Sequence, residues 1–582
     1  MAGAAAIAIP ALAQVQPPPA ASPATPRPQP APSTNAVAPA PQPRQRTPSA
    51  APVEADSSVA ELTELELPPP PPPVEIPDRA RRDPWVVGRL DPAAVGLGDD
   101  PWGGASGAFL EALMRRTATP LASRWGHIAL RNALLARAHA PRAVNPVDWT
   151  AERAWLLLRM GEADAARMLV AGVDVDRFTP KMFQVAVQSA LATADPSGLC
   201  PLEDGIRDYE PRIAGLVDAM CASLSGEPES AAAQIDSARR RGRLGGIDLA
   251  LAQKVVGAGA NTGRAVTIEW QPVDRLNSWR FGLASATGMV PPERLLTAAS
   301  PQMRAWQARA PLLAIDQRLE SARIATALGV FSSQSMIDVY SAMYDATDPD
   351  DLPRTDAWQV RLAFVGKNRA ARLAAIRKLW EIGKGPLDRQ AGRALAARAA
   401  SRIAPDPKLE KDAPGLIASM LAGGYDQEAA RWIPAVRRMD DRFGDDCWAM
   451  LALAAPDPRG LDLSYGRVNS FISRDSSRNK KRSALLVAGL AGLGRLDARG
   501  ADRLNRRNKL RIGHDSRWTR LIDRAAQLGQ TGSVLVLTGT GFQTPDIDRL
   551  PPSHMFHAIA ALNRTGQEFA ARMIAAEALA RT

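Results

Sequence analysis

The sequence predicts an all-α fold: an α-α superhelix of antiparallel helical hairpins, preceded by a disordered Pro/Ala-rich arm. Three observations lead there. After residue 105 alanine is abundant and β-branched runs are few, so local propensity favours helix almost throughout. A Gly-to-Ala turn recurs five times along the same region. Prolines crowd ahead of it, with twenty of the chain's 49 lying between Gln14 and Pro77. A chain of 582 residues with 46% hydrophobic content exceeds what one compact core supports, which leaves several domains or an elongated repeat.

Taken in order, residues 1–13 are small and apolar and end in Ala11-Leu12-Ala13, the small-x-small pattern of a signal-peptide cleavage site. No Lys or Arg precedes Arg27, so the basic start of such a peptide is missing, and an Ala-rich tail is the other reading. No other stretch approaches the ~18 apolar residues of a membrane span, and no Cys follows the cleavage site to carry lipid. A soluble product, periplasmic or secreted, is the expectation.

Residues 14–78 form the expected linker. Its Pro, Ala, Ser and Gln cannot bury enough apolar surface to offset their ordering entropy, which leaves an unfolded chain with polyproline II bias. At ~3.1 Å per residue such a segment reaches on the order of 200 Å, so span is one purpose and plain connection the other. The acidic amphipathic stretch Val59 to Leu67 interrupts it and could fold on a partner. Residues 79–104 are read as an extended docking segment carrying Asp83-Pro84-Trp85 and Asp100-Pro101-Trp102. Each presents a large aromatic on a rigid turn, either to the body or to a partner.

Residues 105–582 form the expected helical-repeat domain. The string Gly161-Glu-Ala-Asp-Ala165-Ala166-Arg167-Met168 recurs as Gly366-Lys-Asn-Arg-Ala370-Ala371-Arg372-Leu373 and as Gly566-Gln-Glu-Phe-Ala570-Ala571-Arg572-Met573. Looser copies begin at Gly226 and Gly424, and all five place an Ala five residues after the Gly. In each an apolar helix is closed by a left-handed Gly, polar residues open the next helix, and the small Ala lets the two helices approach closely.

This pattern resembles the tetratricopeptide family, whose helix-turn-helix unit of about 34 residues carries a Gly at the turn and an Ala at the close contact. Gly424 with Ala429 looks like that pair. The Gly positions lie 65, 140, 58 and 142 residues apart, three of the four intervals near two or four such units and the fourth short enough to need an irregular hairpin. The resemblance implies a stacked-hairpin fold that binds proteins or peptides.

Cys200 and Cys221 bracket a loop and helix, and read either as a disulfide or as two buried thiols; Cys447 has no evident partner. Val534 to Gly541 suggests a strand entering a phosphate loop, but no Lys-Ser/Thr follows and Pro545 comes too soon, so a short apolar helix is expected. His554 and His557 lie three apart on an expected helix with no third ligand in sequence, which makes them capping or packing residues before metal ligands. The clusters Asp440, Asp441, Asp445, Asp446 and Asp348, Asp350, Asp351 fit helix caps and exposed turns. The Glu-Ser pair and Gly-Leu-Met-Gln string of a lytic transglycosylase are absent, as is a hydrolase elbow. No enzyme activity, catalytic residue, cofactor or metal is therefore expected.

Charge is the remaining asymmetry. Between Arg474 and Arg524 fifteen Lys or Arg stand against five Asp, a surplus of ten in a chain of formal charge +11. Arg478, Lys480, Lys481, Arg482, Arg503, Arg506, Arg507, Lys509 and Arg511 are the polyanion-binding candidates, with a merely solvated basic face as the other reading. The functional expectation is an exported scaffold or adaptor for an envelope protein or peptide. Its alternatives are a binder of lipopolysaccharide, acidic polysaccharide or lipid head groups, and an accessory to peptidoglycan enzymes. No nucleic-acid partner is expected of an exported chain.

Overall fold

The computed structural model describes residues 77–241, 245–260 and 266–582, and the chain divides into two units, Met1–Val74 and Glu75–Thr582. The expected signal peptide and nearly all of the expected linker lie outside the described residues. The second unit is all-α. Its single β-type contact among the described residues is an isolated parallel bridge from Leu90 to Ala136.

The helices of the first third are α1 (Gly107–Arg116), α2 (Arg124–Leu135), α3 (Pro146–Met160), α4 (Ala163–Val170), α5 (Pro180–Ala192), α6 (Glu203–Tyr209), α7 (Ala214–Leu224), α8 (Pro228–Arg241), α9 (Gly246–Gly259), α10 (Ser278–Ala286), α11 (Glu293–Ala298) and α12 (Pro301–Arg309). The middle holds α13 (Ile315–Leu328), α14 (Ser333–Ala346), α15 (Asp356–Val365), α16 (Arg369–Trp380), α17 (Pro386–Ala400), α18 (Ala413–Gly423), α19 (Asp426–Ala430) and α20 (Ile433–Val436). The last part comprises α21 (Asp441–Ala454), α22 (Tyr465–Arg474), α23 (Lys481–Gly492), α24 (Ala498–Asn508), α25 (Arg517–Gln527), α26 (Thr531–Gly541), α27 (Pro552–Arg564) and α28 (Glu568–Arg581).

Sequential hairpins dominate the local packing: α3 with α4, α7 with α8, α12 with α13, α15 with α16, α17 with α18 and α27 with α28. Gly161, Gly226, Gly424 and Gly566 take the left-handed conformation at φ 90°, 84°, 87° and 81°, and the Ala five residues on, Ala166, Ala231, Ala429 or Ala571, is fully buried. An L side chain resists that φ, which is why glycine ends these helices. Gly366 differs from expectation. Its φ is −51°, because α16 restarts at once with Asn368 as N-cap, and an extended link serves where a left-handed one does not.

The packing is not confined to sequence neighbours. α13 lies on α17, α23 on α27, and α21 on α28. α2 packs against α26 and α28. Glu577 of α28 accepts hydrogen bonds from Ser123 Oγ at 2.6 Å and from the Arg124 N–H at 2.9 Å, capping the N-terminus of α2 with a carboxylate borrowed from the last helix. Adjacent faces of α2 enter two different cores: Leu130 and Leu134 join the one built mainly by α1–α12, Ala129 and Ala133 the one built mainly by the later helices.

The segment before α1 is tied down at both tryptophans. Trp102 is 2% exposed and meets Trp149 edge-on at 4.9 Å, while Trp85 stacks on His139 at 5.4 Å and stays partly exposed. Pro101 O accepts from the Gly532 N–H at 2.7 Å, which joins this segment to α26. Two short 3-10 turns, Asp78–Ala80 and Ala93–Val95, break its extended course. No helix among the described residues is long and apolar enough to cross a membrane.

Candidate functional site

The basic segment separates into two populations once folded. In the first run, Lys480 Nζ donates to Ile472 O at 2.8 Å and Asp475 O at 2.7 Å, closing the C-terminus of α22. Lys481 Nζ donates to Leu550 O at 2.5 Å, and its burial pushes the ammonium pKa down. Arg482 pairs with Asp446 at 2.7 Å. These three expected polyanion contacts are half-buried and engaged by the fold itself; Arg478 of that run is exposed, with no partner among the described residues.

The second run is presented to solvent. On α24, Arg499, Arg503 and Arg506 follow the helical repeat and are exposed, as are Arg507, Lys509 and Arg511 beyond them. Arg503 lies over the Tyr465 ring at 5.2 Å and Arg506 pairs with Asp502 one turn away. Lys509 and Arg511 hold φ of 54° and 58° around the buried Leu510, a backbone conformation usually left to glycine. On α25, Arg517, Arg520 and Arg524 form a second exposed stripe, with Arg520 on Asp515 at 2.9 Å. An exposed stripe of guanidinium groups attracts anions over roughly a Debye length, about 8 Å at physiological salt.

A cleft of about 390 Å³ opens on a different part of the body, where α1, α3 and α5 pack side by side. The helical repeat aims one row of side chains from each helix at it: Arg115 from α1, Glu152 and Trp155 from α3, and Lys181, Gln184, Val185 and Gln188 from α5, with Glu210 at the end of α6. Glu152 is 3% exposed and accepts from Arg115 Nε at 2.9 Å and pairs with Lys181 at 3.1 Å, so both cations are tethered to one buried carboxylate. Glu111, one turn before Arg115, has its carboxyl pKa raised, by burial first and by the neighbouring Glu152 and Asp148 charges after that, against the opposing Lys181 and Arg115.

The remaining candidates resolve individually. Cys200 and Cys221 are bridged, with Cα atoms 5.5 Å apart, which ties the 3-10 segment Pro196–Leu202 to α7. Among the described residues, Cys200, Glu203 and Cys221 are the one group with three ligand atoms in reach of a metal, and its two sulfurs are bonded to each other. His554 stacks on Trp518 at 4.3 Å with Nδ1 3.1 Å from Gly541 O, whereas His557 pairs with Asp523 at 2.8 Å. Val534 to Gly541 is helical, within α26. Asp440 caps α21, and Asp348 accepts from the Asp350 N–H in a turn. Asp445 departs from the cap reading: it is buried and accepts from Arg467 and Arg474, each at 2.6 Å.

Sequence reasoning missed the buried arginines. Arg153, Arg159 and Arg495 send their guanidinium groups onto backbone carbonyls at the C-termini of α2, α1 and α21. Burial lowers the pKa of Arg153 and of Arg495 to about 10. Comparison with protein-family models, with curated proteins and with solved structures finds no match for this chain.

Proposed function

We propose that this chain is a tetratricopeptide-like binding scaffold of the cell envelope, whose helical body engages a protein or peptide partner of acidic character. The observation that carries the reading is the separation of charge. Lys480, Lys481 and Arg482 are consumed by helix ends and ion pairs, whereas Arg499, Arg507, Lys509, Arg511, Arg517 and Arg524 are exposed and make no ion pair among the described residues. Charges held on rigid helices keep their spacing, and so can select a partner by pattern as well as by sign. Four left-handed Gly turns, each with its buried Ala, support the tetratricopeptide-like description.

The same exposed stripes support a second reading, a binder of anionic envelope polymer or lipid head groups. Chemical crosslinking in cells, followed by identification of what is captured, separates the two. A single stoichiometric protein partner, released by substitutions on α24 and α25, supports the scaffold. Capture that follows any polyanion and vanishes with moderate salt supports the second reading.

A further inference from the structure

We infer that the cleft between α1, α3 and α5 is a binding site for a neutral sugar ring, taken as one unit of an oligosaccharide. Trp155 stands apart from the rest of α3. Its helix is buried around most of its circumference, through Trp149, Ala151, Ala154, Leu156, Leu157 and Leu158, yet Trp155 is left partly exposed on the cleft wall. A large indole bordering a cavity of about 390 Å³ is an apolar platform, and that volume lies within the roughly 300–1,000 Å³ usual for small-molecule sites.

Charge narrows the ligand. Among the lining residues two cations, Arg115 and Lys181, stand against two carboxylates, Glu152 and Glu210, so the wall carries no net formal charge and favours neither an anion nor a cation. The ligand that fits is therefore neutral.

Polarity narrows it further. Gln184 and Gln188 lie one turn apart on α5, and their amides, like the Trp155 indole N–H, make no hydrogen bond among the described residues. A wholly apolar ligand would strip water from these groups and return nothing. A pyranose supplies what both halves of the wall require: a face of C–H groups to lie on the indole, and a rim of hydroxyls to donate to and accept from the amides and to donate to the Glu210 carboxylate. The Arg115–Glu152–Lys181 cluster fixes the floor beneath it.

The test uses the full chain and isothermal titration with chitotriose, cellotriose and maltotriose, which separate an amino-sugar wall glycan from β- and α-glucans. Saturable one-to-one binding of one of them is expected. Trp155→Ala should weaken it by about tenfold, the worth of a lost stacking contact. The double variant Gln184→Ala/Gln188→Ala changes two side chains outside the core, so it should keep the native melting temperature and still lose about three- to tenfold. No binding of any of the three at millimolar concentration overturns the proposal. So does binding that both variants retain unchanged, or binding confined to sulfated or carboxylated sugars. The cleft and the basic stripes share no residue, so capture of a partner can succeed while sugar binding fails, and the reverse.

Discussion

Arg153 donates from Nε to the carbonyl oxygen of Leu134 at 2.8 Å, and the same guanidinium reaches Ala136 O and Val87 O at 2.9 Å, with no carboxylate of the described residues in contact. A full positive charge at 1% exposure is thus held by the C-terminal carbonyls of α2, which carry the negative end of that helix's dipole. Arg153→Met removes the donors and leaves the Leu134 and Val87 carbonyls without them, while Ala136 O keeps the Ala138 N–H. The expected loss is about 3 kcal/mol of folding stability, read by urea unfolding. Arg153→Lys should recover only part, because one ammonium cannot match the planar fork.

The Cys200–Cys221 bridge closes a loop of sequence separation 21. Chain entropy assigns a loop of that length about 3 kcal/mol. Cys200→Ser/Cys221→Ser should lower stability by that amount, and a reductant should lower the native protein to the same level while leaving the variant unmoved.

Cys447 is fully buried, and its thiol pKa is pushed up by that burial and, less, by Asp446. It should not react with a thiol reagent in the native protein at mildly alkaline pH. Denaturation under non-reducing conditions should release one reactive thiol per chain, since the other two sulfurs are bonded.

The two basic runs should behave differently when neutralised. Arg506→Gln, Arg507→Gln, Lys509→Gln and Arg511→Gln together should reduce retention on an anionic column and its salt dependence, with little change in melting temperature. Lys480→Gln, Lys481→Gln and Arg482→Gln together should instead lower the melting temperature, because the α22 C-terminus, Leu550 O and Asp446 lose their partners. Equal effects from the two sets would contradict the division of labour.

Asp445 is held below the ordinary aspartate range: burial pushes its pKa up, but hydrogen bonds from Arg474 and Arg467 outweigh that. A carboxyl with a depressed folded pKa contributes its stabilisation above the unfolded value, about 3.9, and loses it as pH falls through the folded one. Asp445→Asn should therefore be less stable than the native protein at neutral pH. That gap should close as pH drops below about 4, in paired urea titrations.

What the sequence made legible was local. The Gly161–Ala166 and Gly566–Ala571 turns could be read because both the left-handed φ and the close helix approach are settled within six residues. Gly366 misled because its conformation depends on where Asn368 chooses to cap the next helix. Lys480 and Lys481 looked like surface charge because nothing in a basic run tells which ammonium will find a carbonyl on another element, and Leu550 is 69 residues away. Trp155 sits among apolar neighbours and reads as core; only the side-by-side placement of α1, α3 and α5 uncovers it. The role of Arg153 was hidden for the same reason, since a helix end is a partner no residue pattern announces.

The cap that Glu577 places on α2 also governs how the polypeptide is made. α2 leaves the ribosome some 454 residues ahead of the carboxylate that completes it, and α26 and α28, which cover its flanks, arrive equally late. Until then the face of α2 that α26 and α28 cover stays open, although α13 and the Leu421 carbonyl, which accepts from the Trp125 indole, reach α2 earlier. The nascent chain must therefore hold its first helices unfinished through nearly all of its synthesis. Chaperones have a long interval in which to bind it, and a chain released early keeps that surface open to aggregation and proteases.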